Sequence, residues 1–346
     1  MSKQFDTLVF IGRFQPVTIA HQEIIRRAMA MTSELLIIVG SANQPSTYKN
    51  PWSYFERRNM LFNVLNDIDP DEDVCRVQVQ PAEDNMYNDT AWAAQIQGIV
   101  SKYTILGGKT GIIGHNKDES SFYLSMFPQW TSIDVGLIEP LNASNVRDLY
   151  FRETVNLKFI SSVVPPSVFR MLDGQIATPW FLNIIEERTF VEKYRQQYAG
   201  LPYPPIFTTA DAVVICSGHV LLIKRRAAPG KGLWALPGGY MNANTDRSVV
   251  DTALRELREE TKIAVPLPVL RGSIVDSRVF DAIDRSPRGR IITHAVKIVI
   301  QLVDGKLPKI KGSDDAEKAK WVPIGEVKRN EMFEDHFDII SWAISV

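Results

Sequence analysis

Between residues 1 and about 150, short apolar runs alternate with longer stretches in which apolar residues recur every three or four positions. The runs near 7–11, 34–40, 74–79, 111–115 and 132–138 predict strands, and the periodic stretches near 19–31, 53–66, 89–102 and 119–127 predict helices. This alternation is the order of a parallel, doubly wound α/β sheet, in which a ligand lies over the carboxyl ends of the strands. From 153 to 200 the pattern stays helical and amphipathic, interrupted at Pro165, Pro166 and Pro179. Gly200, Pro202, Pro204 and Pro205 then fall within six residues, a density that predicts a semi-rigid spacer. Beyond it come two strand-like runs, TADAVVICSG and HVLLIKRR, and then a helical period at Ala253, Leu254, Leu257 and Thr261. The expected division is a first domain at 1–185, a linker at 186–205 and an α+β domain at 206–346.

A length of 346 residues suits two domains, each able to bury its own core. Apolar content of 45% and charged content of 23% are ordinary for a globular protein, and a net charge of -1 argues against general affinity for nucleic acid. The apolar run near the N-terminus is too short for a signal peptide, and no window of some 18 apolar residues suggests a membrane span, so a cytoplasmic protein is expected. Cys75 and Cys216 lie in opposite halves inside apolar runs, which argues against a disulfide or a cysteine metal site.

The stretch 8–21, LVFIGRFQPVTIAH, joins the first strand to the first helix through Gly12. Such a turn presents backbone N–H groups and a helix N-terminus, both of which favour an anion. Thr18 and His21, three positions apart, share a face of the first helical turn and with Arg13 offer a hydroxyl, an imidazole and a guanidinium, so phosphate is the expected occupant. The same turn, taken alone, also fits an ordinary strand-to-helix connection. Segments 49–52, 82–92 and 115–118 likewise follow predicted strands and converge on one crevice. GGKTG at 107–111 is not a phosphate loop, because that pattern needs glycine where Tyr103 stands.

GRFQPVTIAH resembles the nucleotide-binding signature of the nucleotidyltransferase superfamily. Together with KNPWSYFERRNML (49–61), EDNMYNDTAW (83–92), GHNKDESSFYLSMFPQW (114–130) and ASNVR (143–147), it makes roughly the first 175 residues similar to archaeal-type nicotinamide mononucleotide (NMN) adenylyltransferases. The resemblance implies a Rossmann-like nucleotidyltransferase domain that makes NAD and pyrophosphate from NMN and ATP. It implies that Thr18, His21 and Arg147 act on the phosphates and that Gly12, Arg13, Phe14, Gln15 and Ser144 bind nucleotide. It further implies that Lys49, Asp84, Trp92, Lys117 and Asp118 contact substrate, with Trp92 against the nicotinamide. The nucleophile is already anionic, so this chemistry needs positioning and charge stabilisation rather than a general base. Two positions depart from the family pattern: Ala20 stands where glycine is usual, and LNASNVR where ISxTxxR is usual.

In the second half, Glu256, Glu259 and Glu260 lie together off the apolar face of a predicted helix, as a solvated surface or as an oxygen-ligand site for Mg²⁺ or Mn²⁺. With PGGY ahead of them, Arg255, Glu256, Leu257, Glu259 and Glu260 resemble the Nudix box, whose loop glycines map to Gly238 and Gly239. Gly239 precedes Arg255 by sixteen positions rather than fourteen; the outer glutamate of the box maps to Arg247, with Asp246 beside it, and its last glycine to Lys262. RSPRGRIITHAV (285–296) and SDDAEKAKWVP (313–323) resemble Nudix hydrolases of ADP-ribose. The resemblance implies a Nudix-fold domain with Glu256, Glu259 and Glu260 as metal ligands, Arg255, Glu259 and Glu260 in catalysis, and AMP and ribose 5-phosphate as products. A bifunctional enzyme of NAD metabolism is expected, with Mg²⁺ or Mn²⁺ at both sites. Its partners would be ATP, NMN, NAD and ADP-ribose, with no nucleic acid or membrane, and a homo-oligomer is left open. The alternative is a Nudix half that senses ADP-ribose without turning it over, which the longer loop alone favours.

Overall fold

The computed structural model describes residues 3–69, 76–115, 124–136, 142–313 and 316–345. It divides into two compact units, Met1–Ile185 and Glu186–Val346.

Unit 1 runs β1 (Phe5–Gly12), α1 (Ile19–Met31), β2 (Thr32–Val39), α2 (Tyr54–Ile68), β3 (Val77–Pro81), α3 (Asp89–Val100), β4 (Thr110–Gly114), β5 (Thr131–Asp134), α4 (Ala143–Tyr150), α5 (Leu157–Val163) and α6 (Pro166–Gln175). The sheet order is β3-β2-β1-β4-β5 with every described pairing parallel. Strand β1 is apolar on both faces because both are covered: Leu8 and Phe10 join one core, Val9 and Ile11 the other. The order reverses at β1, so the loops after β1 and β4 part and leave a crevice. Thr18, Ser53, Asn88 and Asn142 cap α1, α2, α3 and α4 with side-chain oxygens, which fixes where each helix starts beside that crevice. The helix expected at 119–127 and the start of the strand expected at 74–79 fall largely outside the described residues, as does Cys75.

Helix α7 (Pro179–Gln196) spans the unit boundary. The expected linker therefore begins inside a helix and is irregular only from 197 to 205. Val191 is buried and Tyr194 half-buried, so the apolar period continues, and no proline interrupts it before Pro202. Unit 2 continues with β6 (Ile206–Cys216), β7 (His219–Arg225), β8 (Trp234–Ala235), β9 (Gly238–Tyr240), α8 (Val249–Thr261), α9 (Leu267–Gly272), β10 (Ile274–Phe280), β11 (Arg290–Ile300), β12 (Ala316–Pro323) and α10 (His336–Ile344). Its mixed sheet has the order β10-β11-β6-β7-β12, with β8 on β7 and β9 on β6. The β6–β11 pair is parallel and the others antiparallel. Helix α8 buries Ala253, Leu254 and Leu257 against Ala210, Ala212 and Val214 of β6. Cys216 is a buried free thiol. Among the described residues no helix is long and apolar enough to cross a membrane.

Candidate active sites

Unit 1 gathers polar side chains where the chain leaves β1, β2 and β3. At Gly12 a Cβ would stand 2.8 Å from the Phe14 ring, so the turn closes only with glycine. Phe14 takes a positive φ of 53°, and its ring lies edge-on to Phe10 at 5.2 Å and to His21 at 5.1 Å, beneath the turn. Thr18 N–H donates to His21 Nδ1 at 2.9 Å, and the Thr18 hydroxyl accepts from the His21 amide in a reciprocal capping box. Since Nδ1 accepts, the ring proton sits on Nε2, which makes that nitrogen a donor. Thr18 is buried, and its hydroxyl caps the helix and meets His21 rather than lining the crevice. The spacing that puts the two residues on one face also brings them into mutual reach.

Arg147 lies on α4 and donates to the Gln15 carbonyl at 2.6 Å and to Ser144 Oγ at 2.9 Å. Burial pushes its pKa down to about 9, and the Arg13 guanidinium pushes the same way. Arg13, Ser144 and Arg147 are thus brought together, with His21 on the adjoining helix. Gln15 is buried, and both ends of its amide pair with the Trp52 backbone, at 2.9 and 3.1 Å, so it shapes the loop. Asp84 accepts from Ser41 Oγ at 3.0 Å and Gln44 Nε2 at 3.1 Å at the ends of β2 and β3. Trp92 sits half-buried on the first turn of α3, 6.0 Å from the Phe127 ring. Lys49 is half-buried in the loop between β2 and α2. Lys117 and Asp118 lie outside the described residues.

Sequence reasoning missed Arg57. It donates to the carbonyls of Arg13 and Gly40, both at 2.7 Å, Ser41 at 2.9 Å and Ser53 at 3.2 Å, tying the end of β1 to the end of β2. Burial lowers its pKa to about 10, while Asp84 opposes the shift. The available signal was its place on the apolar stripe of α2, three, four and seven positions before Met60, Leu61 and Val64.

In unit 2 the strand β9 passes between carboxylates. A Cβ on Gly238 would collide with Asp211 and the Ala210 carbonyl, and one on Gly239 with Glu256. The Gly238 amide donates to Glu260 Oε2 at 3.0 Å. Glu256 and Glu260 line a cavity of about 460 Å³ together with Asp211, Arg225, Tyr240 and Arg288. Burial pushes Glu260 up to about 8 despite the Gly238 bond, and pushes Glu256 up against the pull of Arg255. Glu259 does not share that wall: 42% of its side chain is exposed, and it accepts from Arg255 Nη1 at 3.0 Å. Positions 256 and 260 are four apart and align on the helix, whereas 259 is rotated away. Among the described residues no three Asp, Glu, His or Cys groups form a ready-made metal cluster.

Arg255 is the hub of the lengthened loop. Its Nε and Nη2 donate to Asp246 at 2.9 and 2.8 Å, Nη1 to Glu256 at 2.8 Å and Nη2 to the Tyr240 carbonyl at 3.1 Å. Arg255 holds the Asp246 carboxyl far below its usual range. Asp246, not the aligned Arg247, meets the box arginine, and it also closes the loop by accepting from the Asn242 amide at 2.9 Å and Thr252 Oγ1 at 3.0 Å. Asp211, also missed, is buried on β6 and accepts from Thr293. Its only sequence signal was a charge inside an apolar run. Glu260, buried, and Glu256, half-buried, are an acidic, all-oxygen donor set that fits a hard divalent cation.

A family model of the NUDIX domain matches residues 207–343, and a Cytidylyltransferase-like model matches residues 9–163. A nicotinamide/nicotinic acid mononucleotide adenylyltransferase of Acinetobacter baylyi is 36% identical over 196 residues, covering 56% of this chain and 94% of that protein. An ADP-ribose pyrophosphatase of Methanocaldococcus jannaschii is 31% identical over 158 residues, 46% of this chain and 80% of that protein. A crystal structure of a bifunctional NMN adenylyltransferase/ADP ribose pyrophosphatase from Francisella tularensis, complexed with AMP and a manganese ion, superposes with a TM-score of 0.88. The two chains are 31% identical, and the match covers 98% of each.

Proposed function

Starting from the fact that the chain belongs to the family of bifunctional NMN adenylyltransferase/ADP-ribose pyrophosphatases, we propose that residues 1–185 carry the transfer and 186–346 the hydrolysis. The enzyme joins NMN to the adenylyl group of ATP, giving NAD and pyrophosphate, and hydrolyses ADP-ribose to AMP and ribose 5-phosphate. The observation that carries the assignment of sites is the opposite sign of the charge they hold out of water: the buried Arg57 and Arg147 in unit 1, the buried Glu260 with the half-buried Glu256 in unit 2.

In the transfer, an NMN phosphate oxygen attacks the α-phosphorus of ATP, and the bond to the β-phosphate oxygen breaks. Arg13, Arg147 and the Nε2–H of His21 would hold the phosphates in line and offset charge on the leaving pyrophosphate. Arg57 keeps the β1 and β2 ends in place beneath them. In hydrolysis, water attacks a phosphorus of the ADP-ribose pyrophosphate and the ester partner leaves. Enzymes of both families generally use divalent metals, and we take Mg²⁺ as the working ion, which Glu256 and Glu260 would hold, with Glu259 beside them on the same helix and paired to Arg255. When bound, such an ion offsets phosphate charge and makes water a better nucleophile. Arg255 and Asp246 position the loop that carries Gly238 and Gly239. The second site turns its ligand over rather than only sensing it. Separate incubations with NMN plus ATP and with ADP-ribose, each with Mg²⁺ or Mn²⁺, should yield NAD and AMP respectively by chromatography. Binding of ADP-ribose without release of AMP under any divalent metal would overturn the hydrolase half.

A further inference from the structure

The later half of α7, which falls within the expected linker, braces the second unit's cavity wall from behind. On the later half of α7, the Tyr194 hydroxyl lies 2.9 Å from the Tyr240 hydroxyl, and Arg195 Nε donates to the Pro287 carbonyl at 2.7 Å. Tyr240 directly follows Gly239, against which Glu256 packs. Three further contacts hold it: its carbonyl accepts from Arg255 at 3.1 Å, its ring is edge-on to Phe207 at 5.9 Å, and the Arg288 guanidinium stands 5.7 Å from the ring centre. Phe207 is in turn packed edge-on by Tyr194 at 6.0 Å and Tyr198 at 4.9 Å. Of the two six-membered rings in the wall, Phe333 has the Arg225 guanidinium over it at 4.0 Å. Tyr240 is the better placed of the two for a flat ligand ring. It is anchored at its backbone, edge and hydroxyl, and its neighbour Gly239 touches the acidic end where phosphate chemistry occurs.

Resting on the hydrolase reading, we propose that Tyr194 is a positioning residue for ADP-ribose hydrolysis: its hydroxyl fixes Tyr240 so that the Tyr240 ring meets the purine of the substrate. The test uses the full chain as Tyr194→Phe, Tyr240→Phe and the double variant. Both single variants lose the Tyr194–Tyr240 hydrogen bond, so KM for ADP-ribose rises about two- to tenfold in either, with kcat held. The double variant is no worse than the worse single, because the same Tyr194–Tyr240 bond is lost in all three. Inhibition by AMP weakens by the same factor, inhibition by ribose 5-phosphate does not, and NAD synthesis is unchanged. An unaltered KM in Tyr194→Phe, even with a lowered melting temperature, would reduce Tyr194 to a structural contact and overturn the proposal. So would additive KM shifts. If wild type releases no AMP, it is the hydrolase reading that fails; the same three variants are then compared by calorimetric ADP-ribose affinity, where equal affinities in wild type and Tyr194→Phe overturn the positioning role.

Discussion

At the crevice beside β1 the buried charges are guanidiniums, and on the inner face of α8 they are carboxylates. Arg147 and Arg57 lose basicity because burial disfavours their cations and Arg13 adds like charge; Glu260 and Glu256 lose acidity for the mirror-image reason. Both chemistries act on a phosphoanhydride, yet the two units offset its charge differently. Unit 1 brings cations of its own to the phosphates. Unit 2 brings anions, and so calls for a divalent cation between protein and substrate. A phosphate-handling site is therefore not recognisable by the sign of its side chains alone, since the sign tells which partner carries the opposite charge.

The largest expected effect breaks unit 2's half of this contrast. Glu256→Gln with Glu260→Gln removes two carboxylates of α8 from the cavity wall, so ADP-ribose hydrolysis should fall by about 10³ or more while NAD synthesis persists. Assays of both reactions on one preparation check it, and retained hydrolysis would show the pair to be ordinary buried acids. On the other side, His21→Ala removes one donor to the developing charge, so NMN adenylylation should drop by roughly 10²–10³ with hydrolysis untouched. Near wild-type NAD synthesis would take His21 out of the site.

A smaller effect sharpens the contrast through pH. Burial depresses the His336 imidazole below its usual 6.5, outweighing the carboxylates of Asp211, Asp335 and Glu334 and reinforced by Arg285. Its Nδ1 accepts from the Leu236 amide at 2.9 Å, which requires the neutral ring. A depressed folded-state value means that the stabilisation is complete above about 6.5 and is lost as pH falls through that lower value. Unfolding followed from pH 8 to pH 5 should show wild type losing about 1–2 kcal/mol relative to His336→Gln, which keeps an acceptor without the titration. Parallel pH curves for the two proteins would dismiss the linkage. The smallest effect concerns the end of α8, where Lys262 takes a left-handed φ of 42°. Lys262→Gly should stabilise the protein by about 1 kcal/mol without altering hydrolysis, as read by chemical denaturation and the ADP-ribose assay.

Legibility in the sequence followed periodicity. The strand, turn and helix around Gly12 were readable because both faces of β1 are apolar and α1 repeats every three or four residues, and α8 stood out for the same reason. Side-chain partners across the fold were not readable. That Gln15 serves the Trp52 backbone, 37 positions away, or that Arg57 gathers four carbonyls, depends on loops meeting only after folding. Helical spacing grouped Glu259 with its neighbours, but the choice of Glu256 and Glu260 for the cavity required knowing where β9 passes. The loop alignment pointed to Arg247 and missed Asp246 by one position, because a lengthened loop is free to choose which residue closes it. The stretch expected as linker is only partly irregular: α7 runs on to Gln196, and the proline cluster at 202–205 follows its end.

The position of β1 in its sheet also governs how the chain behaves while it is being made. Thr7 pairs with Glu34 on one side but with Thr110 on the other. At ribosomal rates of roughly 5–20 residues per second, one edge of β1 waits about 5–20 s for its partner. During that interval Leu8 and Val9 lack the strand that will flank them, and an unpaired apolar edge is the template on which chains pair wrongly. Expression yield will therefore depend on the speed of synthesis across residues 40 to 110 more than on the stability of the finished fold.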